Sequence, residues 1–155
     1  MIIRTFQESD RQAVEEIFAL YWTDPEFLTE LSNALRSYVK KPYENNGFFV
    51  AEEKGEVLGI AGFKELASYL KPYAQTDSPV ELYVIAVKYK RKGIGEKLKL
   101  ELIESVQGLG FSEILLFSPN SHSESWDFHN KHGFERAGEV TPSDDEIGQV
   151  WQKIL

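Results

Sequence analysis

The chain has 155 residues, of which 42% are hydrophobic and 27% charged. This balance is typical of a soluble globular protein, and we predict a single domain over residues 1–155. The chain has no cysteine, which excludes disulfides, thiolate metal sites and a cysteine nucleophile. No apolar run approaches the roughly 20 residues of a membrane helix, and a net charge of −8 argues against binding to nucleic acid or to an anionic membrane.

The first part of the chain predicts a strand followed by two helices. Residues 2–6 are predicted as the strand, and the acidic, polar residues that follow come too early for a secretory signal, so we expect a cytoplasmic protein. Ser9 and Gln12 have the spacing of a capping box at the start of the first helix. Asp24 followed by Pro25 predicts the start of the second helix, because it combines an N-cap residue with proline at the first helical position.

The middle of the chain predicts a hairpin and then a long strand. Two apolar runs, 47–53 and 56–63, are separated by Lys54-Gly55, which is typical of a tight turn between antiparallel strands. Residues 64–78 carry mixed signals and are predicted as a short helix or irregular segment followed by a loop. Residues 79–87 are the strongest strand in the sequence.

The last part of the chain predicts two further helices and three strands. A helix is expected from near Gly93 to about Val106, because apolar residues recur there every four positions. A strand over 112–117, a short helix over 124–131 and two strands over 133–138 and 149–153 complete the chain. This mixed order predicts an α/β domain with α+β character.

Basic residues are concentrated in one window. Residues 88–99 carry a charge of +5 and the rest of the chain −13. One positive region on a negative body suggests a small anionic ligand, although lysines are also common on exposed helix starts. Both interpretations stay open on charge alone.

The same window holds a glycine-containing loop before a helix, with Lys90, Arg91 and Lys92 followed by Gly93 and Gly95. Glycines let a backbone approach a ligand closely, and the first N–H groups of a helix point outward without an internal partner. With the helix dipole they favour a phosphate. The patterns of a Walker A loop and of a dinucleotide-binding loop are both absent. The loop therefore predicts a diphosphate site of another kind.

Residues 90–95 resemble the Arg/Gln-x-x-Gly-x-Gly/Ala loop of the Gcn5-related N-acetyltransferase superfamily, with lysine at the first position. Residues 128–134 resemble a second motif of that family, Tyr-x-Lys-x-Gly-Phe, with His129 in place of the tyrosine. The resemblance covers nearly the whole chain. It implies the acyl-CoA N-acyltransferase fold, a mixed sheet of six to seven strands with helices on both faces and splayed fourth and fifth strands.

The resemblance also implies acetyl-CoA as co-substrate. In the family, unpaired backbone groups of the fourth strand bond the pantetheine arm, which here places the arm near Ile85 and Val87. The pyrophosphate is expected on the amides that follow, beside Lys90. Those amides belong to Arg91, Lys92, Gly93, Ile94, Gly95, Glu96 and Lys97.

Two residues are candidates for the proton transfers of the reaction, one from the amine acceptor and one to the leaving CoA sulfur. His129 holds the place of the family's tyrosine and is a hypothetical acid for the CoA sulfur; its reference pKa of about 6.5 makes it a stronger acid than tyrosine. Glu81 is the candidate base, because strand alternation places it on the same face as Ile85 and Val87. The alternatives are a packing role for His129 and a solvent-facing strand start for Glu81.

No metal site is expected. His122, His129 and His132 are close in sequence, but Gly133 is predicted to end the helix that would align them, and no carboxylate cluster completes a ligand set.

The acceptor is predicted to be a small-molecule or peptide amine. Aromatic residues fall in the regions that form the acceptor pocket in the family, and the body of the protein is acidic, so a cationic or aromatic amine, a peptide N-terminus or a lysine is favoured. The last strand, with Trp151, suits either a homodimer interface or the core. Two other functions stay open, a non-catalytic acyl-CoA sensor and a nucleotide-binding enzyme. The aromatic residues are Trp22, Tyr38, Tyr43, Tyr69 and Tyr73.

Overall fold

This computed structural model describes residues 1–42, 46–143 and 146–155, in which strands and helices are interspersed. The predicted order of elements is confirmed within those ranges. None of the helices described there is long and apolar enough to span a bilayer. The strands are β1 Ile2–Thr5, β2 Asn46–Glu53, β3 Glu56–Lys64, β4 Pro79–Val87, β5 Glu113–Pro119, β6 Glu135–Ser143 and β7 Glu146–Ile154. The α-helices are α1 Arg11–Ala19, α2 Pro25–Lys40, α3 Ile94–Gly108 and α4 Trp126–Lys131, and short 3₁₀ helices cover Glu8–Asp10, Ser68–Tyr73 and Asn120–Ser125.

The strands form a mixed sheet of seven strands in the order β1-β2-β3-β4-β5-β7-β6. β4 runs parallel to β5, whereas the pairs β1–β2, β2–β3, β5–β7 and β6–β7 are antiparallel. This confirms the predicted mixed α/β class, with the higher of the two expected strand numbers. The parallel register runs from Pro79 opposite Glu113 to Glu81 opposite Leu115, so it lies at the start of β4.

The contacts divide the chain into two compact units. The first unit comprises residues 1–64 and 83–105, and the second comprises residues 65–82 and 106–155. Each is described separately below. The expectation of a single domain over residues 1–155 stays a prediction.

The start of α2 follows the predicted capping pattern. The Asp24 side chain accepts a hydrogen bond of 3.1 Å from the backbone N–H of Glu26, and Pro25 occupies the first helical position. The cap satisfies one of the N–H groups that a helix start leaves without a partner, and the proline supplies a φ already suited to the helix.

The start of α1 differs from the prediction. The expected capping box of Ser9 and Gln12 is wrong, because a 3₁₀ turn precedes the helix and moves the cap back along the chain. Here the Asp10 carboxylate accepts the backbone N–H of Gln7 at 2.9 Å. The same carboxylate is held by the Arg4 guanidinium at 2.8 and 2.9 Å, a contact that no local pattern predicts.

Helices cover both faces of the strands in the first unit. One face of β2, β3 and β4 packs against α1 and α2 through a core that includes Phe18, Leu35 and Phe48. On the other face, Gly59 of β3 lets α3 approach, since a Cβ there would lie 2.8 Å from Leu98. The predicted helices on both faces are therefore confirmed for this unit.

The predicted apolar stripe of α3 is buried. Ile94, Leu98, Leu102 and Val106 are each at most 3% exposed, and burying a side chain of this size contributes roughly 1.5–3 kcal/mol. The stripe anchors the helix, so the position of its first turn is fixed by packing.

The second unit is organised around a buried carboxylate. Glu113, the first residue of β5, is fully buried and accepts the backbone N–H groups of Gln75 and Thr76 at 2.9 Å, together with the Thr76 hydroxyl. The side-chain amide of Gln152 in β7 also donates to it. These bonds satisfy the buried carboxyl oxygens of Glu113 and tie the segment before β4 to β5 and β7.

Candidate functional site

The glycine loop lies between β4 and α3, in the first unit. Arg91 and Gly93 both adopt left-handed backbone conformations, with φ of +63° and +75°. The first bond of α3 follows at once, from the Lys97 N–H to the Gly93 carbonyl at 3.2 Å. No atom lies within 4 Å of the position that a Cβ on Gly93 would take. The loop thus presents its backbone to open space at the start of a helix.

Basic side chains belong to this loop and to the first turn of the helix that follows. Lys90, Arg91, Lys92 and Lys97 are all exposed, as a site for an anion requires. Lys88 is engaged elsewhere, because its ammonium lies 2.6 Å from the Glu56 carboxylate. That hydrogen bond raises the pKa of Lys88.

The backbone of β4 at Val87 differs from the expectation of unpaired groups. The Tyr21 hydroxyl donates to the Val87 carbonyl at 2.9 Å, and the Val87 N–H donates to the same hydroxyl at 3.3 Å. Ile85 lies two residues earlier on the same face and is half-buried. The physical reason is that backbone polar groups removed from water need partners, and a phenol both donates and accepts.

A row of aromatic rings continues from Tyr21 within the first unit. Ring centroids are 5.6 Å apart for Tyr21 and Trp22, 5.3 Å for Trp22 and Phe27, and 6.4 Å for Phe27 and Tyr83. The Lys64 ammonium lies 4.1 Å from the centre of the Tyr83 ring. The row ends on β4, two residues before Ile85.

The other aromatic residues expected near an acceptor have different places. Tyr38 is 3% exposed and packs on Phe48 in the core of the first unit. In the second unit Tyr69 packs on Phe117, and Tyr73 donates to the Glu139 carbonyl at 3.4 Å. Tyr43 lies outside the described residues. Trp22 is thus the member of the predicted set that joins the aromatic row.

Glu81 lies in β4 within the second unit. It is only 5% exposed, so it is not the solvent-facing strand start that was the alternative. One carboxylate oxygen accepts the backbone N–H of Ala67 at 3.0 Å. A buried, positioned carboxylate of this kind can accept a proton, and its role as the base stays a prediction.

His129 lies in α4, also within the second unit. Its side chain is buried, with ring centroids 5.8 Å from Phe128, 6.2 Å from Phe134 and 6.0 Å from Trp151. These ring contacts restrict the orientation of the imidazole. A fixed orientation suits a proton donor as well as a packing residue. The role as the acid stays a prediction.

The three histidines do not form a ligand set. The His132 ring lies against the Phe128 carbonyl, with Nδ1 at 2.7 Å. Across residues 1–42, 46–143 and 146–155, no group of three histidine or carboxylate side chains is placed to hold a metal ion.

Tyr21, which contacts the backbone of β4 at Val87, was not among the predicted site residues. The available signal was the need of a half-buried phenol for a polar partner.

Comparison with known proteins gives concordant results. The sequence matches the acetyltransferase (GNAT) family over residues 12–134. It is 22% identical over 113 residues to N-acetyltransferase family 8 member 3 of Mus musculus, covering 72% of this chain and 48% of that protein. The chain therefore spans about half the length of the curated relatives that it matches.

Solved structures share the fold across the whole chain. A ribosomal-protein-alanine N-acetyltransferase from Brucella melitensis superposes with a TM-score of 0.77 at 21% identity, covering 100% of both chains. The PaiA N-acetyltransferase from Thermoplasma acidophilum, solved in complex with coenzyme A, has a TM-score of 0.72 at 19% identity, with 99% of this chain and 98% of that chain covered. At these sequence identities, the similarity is evidence for a shared fold alone.

Proposed function

The chain belongs to the acetyltransferase (GNAT) family, and on that premise we propose that it transfers an acetyl group from acetyl-CoA to a primary amine of a small molecule or peptide. Acetyl-CoA supplies the acetyl group as a thioester, which is activated toward attack by an amine. The coenzyme A complex of the Thermoplasma acidophilum protein supports this choice of co-substrate.

The glycine loop is the observation that carries the proposal. Open space at Gly93, outward N–H groups at the start of α3 and exposed Lys90, Arg91 and Lys92 fit a diphosphate. Coenzyme A contains a diphosphate, so these residues would hold that part of it.

We propose direct transfer within a ternary complex. The amine loses a proton as its nitrogen bonds to the acetyl carbon, and the CoA sulfur gains a proton as the carbon–sulfur bond breaks. Glu81 takes the first proton and His129 gives the second, directly or through water. The chain has no cysteine that could carry the acetyl group.

The aromatic row at Trp22, Phe27 and Tyr83 supports an acceptor with an apolar or aromatic part. The ammonium of Lys64 already lies over the Tyr83 ring, so this ring face is occupied by a cation. A cationic acceptor would instead be attracted by the acidic side chains of the protein. We propose an aromatic or peptide amine as the first class to test.

A non-catalytic acyl-CoA sensor is the second candidate. His129 is buried among aromatic rings, and a packing role explains this burial without any catalytic role. That explanation favours the sensor. Binding of coenzyme A is common to both functions, whereas thiol release that depends on an amine belongs to the enzyme.

Calorimetric titration with acetyl-CoA, CoA and ATP, followed by CoA-thiol release against a panel of amines, tests the proposal. We expect micromolar binding of acetyl-CoA and amine-dependent release. Binding without release from any amine would support the sensor, and ATP binding as tight as CoA would support a nucleotide-binding enzyme.

A matched pair of variants links binding to the loop. Lys90→Gln with Arg91→Gln removes two loop charges, and Lys40→Gln with Lys41→Gln removes two exposed charges at the end of α2. We expect at least tenfold weaker CoA binding in the first variant and no change in the second. Equal affinities would remove the loop from the proposal.

A further inference from the structure

We propose that Tyr21 gates acyl-CoA binding, because its hydroxyl occupies the Val87 backbone groups that the acyl-CoA arm needs and must leave for the arm to bind. The inference rests on the proposed function, since it assumes that β4 receives the pantetheine arm near Val87. It adds a residue of the connection between α1 and α2 to the determinants of co-substrate affinity.

The hydroxyl satisfies both polar groups of one strand residue. It gives its proton to the Val87 carbonyl at 2.9 Å and accepts the Val87 N–H at 3.3 Å. An added strand would bond the same two groups, because the N–H and C=O of a strand residue point to the same side. An amide of the pantetheine arm would bond one of them. The Tyr21 hydroxyl therefore occupies the hydrogen-bonding groups that the arm would use.

The contact lies on the side of β4 away from β3. The next residue, Lys88, donates its N–H to the Leu58 carbonyl at 2.8 Å, toward the β3 side. Successive residues of a strand direct their backbone groups to opposite sides, so Tyr21 approaches Val87 from the side away from β3. This is the side on which an arm would have to lie.

The ring of Tyr21 also contacts the phosphate loop. The Lys90 ammonium lies 5.3 Å from its centre, within the range of a cation–π interaction. Displacement of Tyr21 releases this ammonium for an anionic ligand. Occupation of Val87 and occupation of the loop are thus coupled through one side chain.

The aromatic row connects the gate to the acceptor side. Tyr21 packs on Trp22, which packs on Phe27, which packs on Tyr83. When the arm displaces Tyr21, the support of Trp22 changes and the row rearranges. We expect acyl-CoA to bind before the acceptor for this reason.

Replacement of Tyr21 by phenylalanine removes the hydroxyl alone and so measures its contribution to CoA affinity. The ring keeps its contacts with Lys90 and Trp22, but the competitor for Val87 is removed. A net hydrogen bond contributes about 1 kcal/mol, which corresponds to about fivefold in affinity. We therefore expect Tyr21→Phe to bind CoA about fivefold more tightly than the wild type.

Titration calorimetry of CoA with the wild type, Tyr21→Phe and Tyr73→Phe tests this expectation. Tyr73 is the matched control, because its hydroxyl also donates to a backbone carbonyl, that of Glu139 in the second unit. The dissociation constant should fall in Tyr21→Phe and stay unchanged in Tyr73→Phe. Equal or weaker binding by Tyr21→Phe, with the wild type binding CoA, would overturn the gate and leave the proposed function intact. Absence of CoA binding in all three proteins would overturn both.

Tryptophan fluorescence supplies a readout that is independent of activity. Because Trp22 packs on Tyr21, CoA should change its emission in the wild type, and Trp22→Phe should abolish that change while Trp126 and Trp151 still emit. A full CoA-dependent change in Trp22→Phe would show that the aromatic row does not respond, against the proposal.

Discussion

The carboxylate of Glu81 accepts a hydrogen bond from the backbone N–H of Ala67 at 3.0 Å. Both residues belong to the second unit, and Ala67 lies in the connection between β3 and β4. A carboxylate that is 5% exposed requires such a partner, since an unpaired buried charge is costly. The bond fixes the carboxylate of the candidate base in one orientation.

Replacement of Glu81 by glutamine should separate its catalytic role from its structural one. The amide oxygen of glutamine can still accept the Ala67 N–H, but it cannot take a proton from an amine. We expect turnover to fall by about a hundredfold, with CoA affinity unchanged and the thermal midpoint within a few degrees of the wild type. Glu65→Gln, an exposed change in the same connection, is the control. Full turnover in Glu81→Gln would leave Glu81 a structural residue.

His129 can be tested with two replacements of similar size. Phenylalanine preserves the aromatic packing but cannot donate a proton, so thiol release should fall by roughly ten- to a hundredfold. Tyrosine restores a donor at the place where the family has one, and should recover much of the rate. Steady-state rates with His122→Gln as control check both changes. Unchanged turnover in His129→Phe would refute the acid role.

Gly93 and Gly110 form a matched pair for the loop. Both have positive φ, +75° and +97°, and neither has an atom within 4 Å of a Cβ position. Alanine at either place should cost a similar roughly 1–2 kcal/mol in unfolding free energy. Only Gly93→Ala should weaken CoA binding, by at least tenfold, because its methyl group enters the space in front of the loop amides. Calorimetry and urea unfolding measure the two effects, and equal affinities in the two variants would contradict the loop assignment.

Asp10 predicts a pH dependence of stability. Burial raises the pKa of this carboxyl, but hydrogen bonds from Arg4 and from the Gln7 N–H outweigh it and hold the pKa below its ordinary value. The stabilisation is therefore present above the ordinary pKa of about 3.9 and is lost as the pH falls through the lower folded value. The free energy of unfolding of Asp10→Asn should be about 1–3 kcal/mol lower than that of the wild type at pH 7. On acidification it should decrease less than that of the wild type.

Urea unfolding at pH 7, 4 and 3 measures this difference, with Asp127→Asn, an exposed aspartate, as the control. The gap between wild type and Asp10→Asn should narrow toward pH 3. A gap that is independent of pH would mean that the Asp10 charge contributes nothing to stability.

Local sequence patterns predicted most of the elements. Asp24 with Pro25, the turn at Lys54-Gly55 and the stripe of α3 each depend on neighbours within a few residues, and each is confirmed. β6 and β7 extend beyond their predicted bounds, to Ser143 and from Glu146, because pairing between them stabilises residues of low strand propensity.

Contacts between different elements were less accessible to sequence patterns. The bonds between Tyr21 and Val87 join residues 66 positions apart, and those between Arg4 and Asp10 involve side chains on different elements. Such contacts depend on how strands and helices pack, which periodicity does not encode. The glycine loop is the exception, because its chemistry resides in consecutive residues.

The side-chain amide of Gln152 donates to the Tyr73 carbonyl at 2.8 Å, across 79 positions of the chain, and also reaches Glu113. A ribosome that adds 5–20 residues per second makes these two residues roughly 4 to 16 seconds apart. Throughout that interval the Tyr73 carbonyl lacks its Gln152 partner. Glu113 is 39 residues before Gln152 and lacks the same side chain for roughly 2 to 8 seconds. The second unit can therefore close only after β7 has left the exit tunnel, and we expect nascent chains that stop short of Gln152 to be the ones that chaperones and proteases recognise.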